Sequence, residues 1–343
     1  MTIDMVPPGV ALHSALIAVL AFCVSALILL GLLKTGLAWR LATDIPNERS
    51  LHARPTPRVG GWGIVPVTFV GMLAVAPRLW LLAVCALFLS AVSQVDDRRG
   101  LPARVRFLAH TVAVATIVVA YPASVAWWVL AGLAVCMVWL INLYNFMDGA
   151  DGLAGGMTLF GFGAYAFGAI LAPHASPELT FASIVVCGAA AGFLILNFHP
   201  AKIFLGDAGS IPLGFLAGGL GYWGWRDGVW PIWFPFMVFS PFIADASVTL
   251  ARRLARGQKF WQAHREHYYQ RMVRSGTGHA GTAVRWYIVM LAGALLALWA
   301  LGRPAVTQYV VLSAWLGVLL IIGMAIDFRW SRFQSNISGD TAR

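Results

Sequence analysis

The chain has 343 residues, of which 59% are hydrophobic and only 11% charged. Soluble domains carry roughly 45–50% apolar and about 25% charged residues, so a soluble globular enzyme, a disordered chain and a disulfide scaffold are all excluded. The net charge of +10 would suggest nucleic acid in a soluble protein, but here its placement along the chain decides its meaning.

A helix that crosses a membrane needs about 20 mostly apolar residues. Runs of that kind fall near 12–33, 60–76, 79–95, 107–121, 123–141, 153–172, 179–196, 210–225, 229–250, 285–302 and 305–326. They predict an all-α integral membrane protein, a polytopic bundle of about eleven transmembrane helices, with ten as the alternative count. The first run lacks a basic n-region and a small-residue cleavage site, which favours a retained helix over a cleaved signal peptide. The four cysteines each lie inside an apolar run without CxxC spacing and read as small buried hydrophobes. Without a repeat or soluble linker, the economical organisation is one integral-membrane domain over residues 1–343, its motifs within 44–271.

With eleven spans the connections alternate between two sides. Segments 34–59, 96–106, 142–152, 197–209, 251–284 and 327–343, with Arg285 at a loop edge, hold all but three of the 24 Lys and Arg. The exceptions are Arg78, Arg226 and Arg303. The positive-inside rule makes the rich side cytoplasmic, placing the N-terminus outside and the C-terminus inside. The charge is therefore read as setting topology, with no nucleic-acid partner. The outer connections are too short for a folded domain, so the function is expected at the cytoplasmic face.

The polar motifs follow in chain order on that face. SLHARPTPRVGG (50–61) is a basic loop shaped by Pro and Gly, in which Arg54 and Arg58 suit bidentate phosphate contacts. Asp96 and Asp97 end the third span, and adjacent helical residues point about 100° apart, so the two carboxylates must face different partners. Asn142, Asn145, Asp148 and Asp151 recur at a spacing of three and predict a polar stripe on one helix. Such a set can read a nucleobase or hold Mg²⁺. FLGDAGS (204–210) exposes Asp207 on a Gly-rich turn, three residues after the aromatic Phe204, and Lys202 is near enough to neutralise a phosphate. In HREHYYQR (264–271), His264, Arg265 and His267 read as a patch recognising a sugar or phosphate, since no further His or Cys at ligand spacing supports zinc. His13, His110, His174 and His199 receive no role, except that His199 neighbours the Asp207 loop.

Several carboxylates, arginines and amides meeting at one membrane face suit a Mg²⁺-dependent phosphate transfer with a lipid reactant. A secondary transporter would concentrate charge at the bilayer midplane, where these spans carry almost none. A CDP-alcohol phosphotransferase would need further aspartates after Asp151, and residues 153–206 contain none.

The segments SLHARPTPRVGG, VDDRRG, NLYNFMDGADGLAGG, NFHPAKIFLGDAGS and HREHYYQR resemble, in order, those of the polyprenyl-phosphate N-acetylhexosamine-1-phosphate transferases. That family includes the undecaprenyl-phosphate GlcNAc-1-phosphate and muramyl-pentapeptide enzymes. The resemblance implies catalytic roles for Asp96, Asp97 and Asp207, with Asp96 as candidate base. It implies Mg²⁺, or Mn²⁺ in its place, on Asp207, Asp97 and Asn145. It further implies a nucleotide pocket of Asn142, Asn145, Asp148, Asp151 and Phe204, and phosphate or sugar contacts from Arg54, Arg58, Arg106, Lys202, His264, Arg265 and His267. The implied substrates are undecaprenyl phosphate and a UDP-N-acetylhexosamine, in the bacterial inner membrane. Related enzymes are often dimers, although no feature of this sequence marks an interface. The muramyl enzymes carry three His in the late loop and a Lys four residues after the first Asp. Here those places hold His264-Arg-Glu-His267 and Gly100, which favours an O-antigen-like branch.

Overall fold

A computed structural model describes residues 8–46, 51–52, 54–259 and 264–340. Helix α1 (Pro8–Lys34) and the short α2 (Leu37–Leu41) lead to a two-residue ribbon. In it β1 (Thr43–Asp44) pairs antiparallel with β2 (Thr56–Pro57), Asp44 opposite Thr56. Then follow α3 (Gly60–Val75), α4 (Trp80–Arg99), α5 (Ala103–Ala120), α6 (Trp127–Phe146), α7 (Leu153–Leu171), α8 (Pro177–Asn197) and α9 (Asp207–Arg226). The chain closes with α10 (Trp233–Val238), α11 (Ser240–Ala255), α12 (Tyr268–Met272), α13 (Gly278–Leu301) and α14 (Ala305–Asp340).

Among the described residues, eight helices are long and apolar enough to cross a membrane. The protein is an all-α polytopic membrane protein. The other expected spans also fall on helices, but α3 has only 16 residues, and the 229–250 run is broken. Phe239 leaves helical geometry between α10 and α11 (ψ 7°), and Pro241 lacks the N–H that would continue the ladder. One uninterrupted helix was expected there, and the correction follows from that proline.

Helix α9 is the axis of the bundle: every residue from Ala208 to Gly224 is buried. Apolar burial drives little association between helices in lipid, so close backbone approach through small residues matters more. A Cβ on Gly61 would stand 2.6 Å from the Ala208 carbonyl, which is how α3 reaches α9. On the other flank, Gly188 and Gly192 of α8 press against the Ala18 and Phe22 carbonyls of α1 in the same way. Of the cysteines, Cys85 is buried and Cys187 intermediate, but Cys23 and Cys136 are exposed on helix surfaces. Expected burial fails there because lipid satisfies a thiol as well as a protein core does.

The loops sort to two ends. At one, Arg78 approaches Glu178 at 3.9 Å, and the Arg226 guanidinium lies 4.7 Å from the Trp223 ring centre and 5.5 Å from that of Tyr121. The other end gathers the ribbon, the end of α4, the α6–α7 turn and the start of α9, and it carries the polar site.

Candidate functional site

The loop around Arg58 is stitched by its backbone to the segment before α9. The Phe204 N–H donates to the Pro57 carbonyl (2.8 Å), that of Gly60 to Phe204 (2.9 Å) and that of Gly61 to Leu205 (3.0 Å). Arg58 and Phe204 therefore stand side by side in a parallel bridge. Gly206 then turns at φ +73°, where a Cβ would lie 3.2 Å from Arg58 Cβ and 3.4 Å from Asp97 Oδ2. A side chain at this position would be strained and crowded. The turn delivers Asp207 to the first position of α9.

Four carboxylates and one guanidinium meet there. Arg58 pairs with Asp44 through Nη2 and lies 3.5 Å from Asp97 through Nη1. Asp97 also accepts the Ala208 N–H (3.4 Å), and Asp148 lines the same cavity as Gly206 and Asp207. Asp207 accepts from the Asn145 amide nitrogen (3.4 Å), whose oxygen takes the Ser210 hydroxyl (3.0 Å). Burial pushes the Asp148 carboxyl well above the usual carboxylate range, and Asp207 raises it further. Burial raises Asp207 as well, against the pull of Arg58. One guanidinium cannot balance Asp44, Asp97, Asp148 and Asp207 together, so the cluster has an unmet need for positive charge. Its donors are all carboxylate oxygens, which fit a hard divalent ion such as Mg²⁺ or Mn²⁺. Asn145 departs from its expected part as a ligand: its amide nitrogen faces Asp207, so it orients that carboxylate.

A polar cavity of about 270 Å³ opens over this cluster, and Arg58, Asn145, Asp148, Asp151, Phe204 and Asp207 line it. The His52 ring meets Phe204 edge-on, with centres 4.7 Å apart. The predicted polar stripe is not helical throughout, because α6 stops at Phe146 and puts Asp148 and Asp151 in the following turn. Asn142 remains on the helix, donates to the Val138 carbonyl (2.7 Å) and does not line the cavity.

The remaining expected residues stand elsewhere. Asp96 diverges from Asp97, as adjacent helical positions must: it accepts from Arg106 (3.1 Å) and the Leu101 N–H (2.5 Å). Arg54 and Lys202 are exposed, off the cavity wall. In the late loop His267 is buried against Asp245, whose carboxylate takes the N–H groups of Tyr268 (2.8 Å) and Tyr269 (3.0 Å) and so caps α12. Burial, with His267 and Arg253, pushes His264 down to about 4, which leaves its imidazole neutral at pH 7. The Arg265 carbonyl accepts from Arg274 (3.1 Å). This stretch is therefore spent on packing, and only its Gln270 reaches the cavity.

Sequence reading missed Asp44, His52, Asn197, Gln270 and His279, all of which line the cavity. Asn197 opens the NFHPAK segment, which is where it could have been found, and its amide bridges the Gly152 N–H (3.0 Å) and the Ile203 carbonyl (2.9 Å). His279 carries no local signal.

The carboxylate-rich polar cavity thus lies at one end of a helical membrane bundle. The family model for glycosyl transferase family 4 matches residues 79–224. A probable undecaprenyl-phosphate N-acetylglucosaminyl 1-phosphate transferase of Bacillus subtilis is 29% identical over 90% of both chains. The undecaprenyl-phosphate alpha-N-acetylglucosaminyl 1-phosphate transferase of Yersinia pestis is 28% identical over 84% of both. A phospho-N-acetylmuramoyl-pentapeptide-transferase of Thermosynechococcus vestitus is 33% identical over 60% of this chain and 61% of its own. The chain is similar to glycosyl transferase family 4 over residues 79–224 and to these transferases over most of its length.

Proposed function

We propose that the protein transfers an N-acetylhexosamine-1-phosphate from a UDP-N-acetylhexosamine to undecaprenyl phosphate, releasing UMP, as the first step of a cell-envelope polysaccharide such as O-antigen. The names of its relatives support the reaction class of a glycosyl-1-phosphate transferase acting on a polyprenyl phosphate. The observation that carries the reading is one polar cavity lined by Asp148, Asp207, Arg58 and Phe204, with Asp97 3.5 Å behind Arg58. The basic ends of the helices support an active site on the cytoplasmic face of the bacterial inner membrane.

An oxygen of the lipid phosphate attacks the sugar-linked phosphorus, and the bond from that phosphorus to the bridging oxygen breaks toward UMP. Asp97, beside Arg58, takes the proton from an incoming lipid phosphate that still carries one. Arg58 steadies the charge of the reacting phosphates. Phe204 offers a face to the base, and Asp151 and Asn197 offer polar contacts at the wall. Asp207, with Asp97 and Asp148 close by, would hold Mg²⁺, which supplies charge neutralisation at the diphosphate. Asp96 is proposed to act by fixing Arg106 and the α4–α5 turn.

The test is UMP release by purified protein with undecaprenyl phosphate, Mg²⁺ and a panel of UDP-N-acetylhexosamines. UMP formed with one donor and abolished by EDTA is the expected result. Folded protein that releases no UMP with any donor of the panel overturns the reading.

A further inference from the structure

A second constellation stands in the wall of the same cavity, apart from the carboxylate cluster. Asp151, His199 and His279 each present one ligand atom, and the three lie within 4.8 Å of one another. His199 Nδ1 is 2.6 Å from Asp151 Oδ2, and His279 Nδ1 is 3.4 Å from Asp151 Oδ1. The two imidazole rings are nearly parallel, 8° apart in plane with centres 5.5 Å apart.

The surroundings orient these atoms as an outer shell orients metal ligands. His279 Nε2 lies 3.1 Å from the Leu51 carbonyl, and the Asp151 N–H donates to Nδ1 (3.2 Å). That fixes the tautomer with the proton on Nε2, and the Nδ1 lone pair, which accepts the Asp151 N–H, is the one a bound ion would take over. Asp151 Oδ2 takes the Ala201 N–H (3.2 Å), which holds the carboxylate plane. His199 is half exposed, which leaves an ion a path from solvent and open positions for water.

We propose that Asp151, His199 and His279 form a binding site for a borderline divalent ion of the Zn²⁺ type. Two imidazole nitrogens and one carboxylate oxygen select such an ion over Mg²⁺, the reverse of the all-oxygen cluster at Asp207. The three ligands come from the α6–α7 turn, the segment after α8 and the first turn of α13. Filling the site clamps three otherwise separate segments at one edge of the cavity. The inference goes beyond the transferase reading and does not depend on it.

The experiment uses the full-length protein in detergent, stripped with chelator and titrated with Zn²⁺, with bound metal counted by mass spectrometry and Tm followed. One Zn²⁺ per chain with a rise in Tm is expected, unchanged by millimolar Mg²⁺. His199→Gln and His279→Gln should each weaken binding at least about ten-fold and remove the Tm rise. His199→Cys, loaded with Co²⁺, should gain a near-ultraviolet thiolate-to-cobalt band that wild type lacks, which gives a positive signal should a glutamine variant fold poorly. No stoichiometric Zn²⁺ on wild type, unchanged binding in both glutamine variants, or no such band overturns the site. UMP release is assayed in parallel on the chelator-stripped protein supplied with Mg²⁺ alone: its absence there sinks the transferase reading alone, and its presence in protein that binds no Zn²⁺ sinks only this one.

Discussion

Asp97 accepts the backbone N–H of Ala208 at 3.4 Å, which ties the end of α4 to the first turn of α9. The carboxylate is thereby held beside Asp207 by main chain, where side-chain mobility cannot loosen it. Two acidic motifs separated by more than a hundred residues thus become one acidic pocket.

Asp207→Asn should reduce UMP release by about 10²-fold or more, the scale lost when a preorganised electrostatic group is removed. The folded state should not suffer. Burial penalises the charged carboxyl, so in metal-free buffer the Tm of the variant should equal or exceed that of wild type. Activity and thermal melting on one preparation check both halves. Full activity would remove Asp207 from the proposed metal cluster.

Arg58→Lys keeps the charge but loses the fork that spans Asp44 and Asp97. A lysine ammonium cannot serve both carboxylates in that geometry. UMP release should fall at least about ten-fold, with a smaller change in Tm. Steady-state kinetics with varied UDP-sugar would show it, and a rate within two-fold of wild type would count against the phosphate role.

Gly206→Ala tests the turn itself. The backbone there sits at φ +73°, and the new methyl would crowd Arg58 Cβ at 3.2 Å. The loss of stability should be about 1–2 kcal/mol, accompanied by loss of activity because Asp207 is displaced. Gly257→Ala, also at positive φ but with nothing within 4 Å, should cost less and leave activity intact.

Glu266 offers a pH test outside the cavity. Burial raises its carboxyl, but the Arg256 hydrogen bond and charge, with Arg253, outweigh this and hold it below its ordinary 4.5. Its stabilisation is therefore fully present above pH 4.5 and lost as pH falls through the lower folded value. Glu266→Gln should melt below wild type at neutral pH, and the gap should close in acid. A constant gap across pH would mean that packing, not charge, accounts for the difference.

Much of the site was legible because its motifs are local. Asp97, Asp148 and Asp207 lie in short contiguous runs whose residue types already announce charge chemistry. The helical spacing of Asn142, Asn145, Asp148 and Asp151 misled because periodicity does not reveal where a helix stops, and α6 ends at Phe146. The late loop misled differently: His264, Arg265 and His267 look like a ligand patch, yet Asp245 and Arg253 draw that segment into packing. Asp44 and His279 could not be seen at all, since tertiary pairing brings them to the cavity and their neighbours carry no signal. Their discovery needed the fold.

The stitched pair of strands around Arg58 and Phe204 also fixes one wall of the cavity. Three backbone hydrogen bonds bind that wall together, while the Leu51 carbonyl meets the His279 imidazole at 3.1 Å. Separation at Arg58 would break three backbone bonds and carry the start of α9 with it. The acidic floor beside Arg58 is thus held in shape by the main chain rather than by side chains alone.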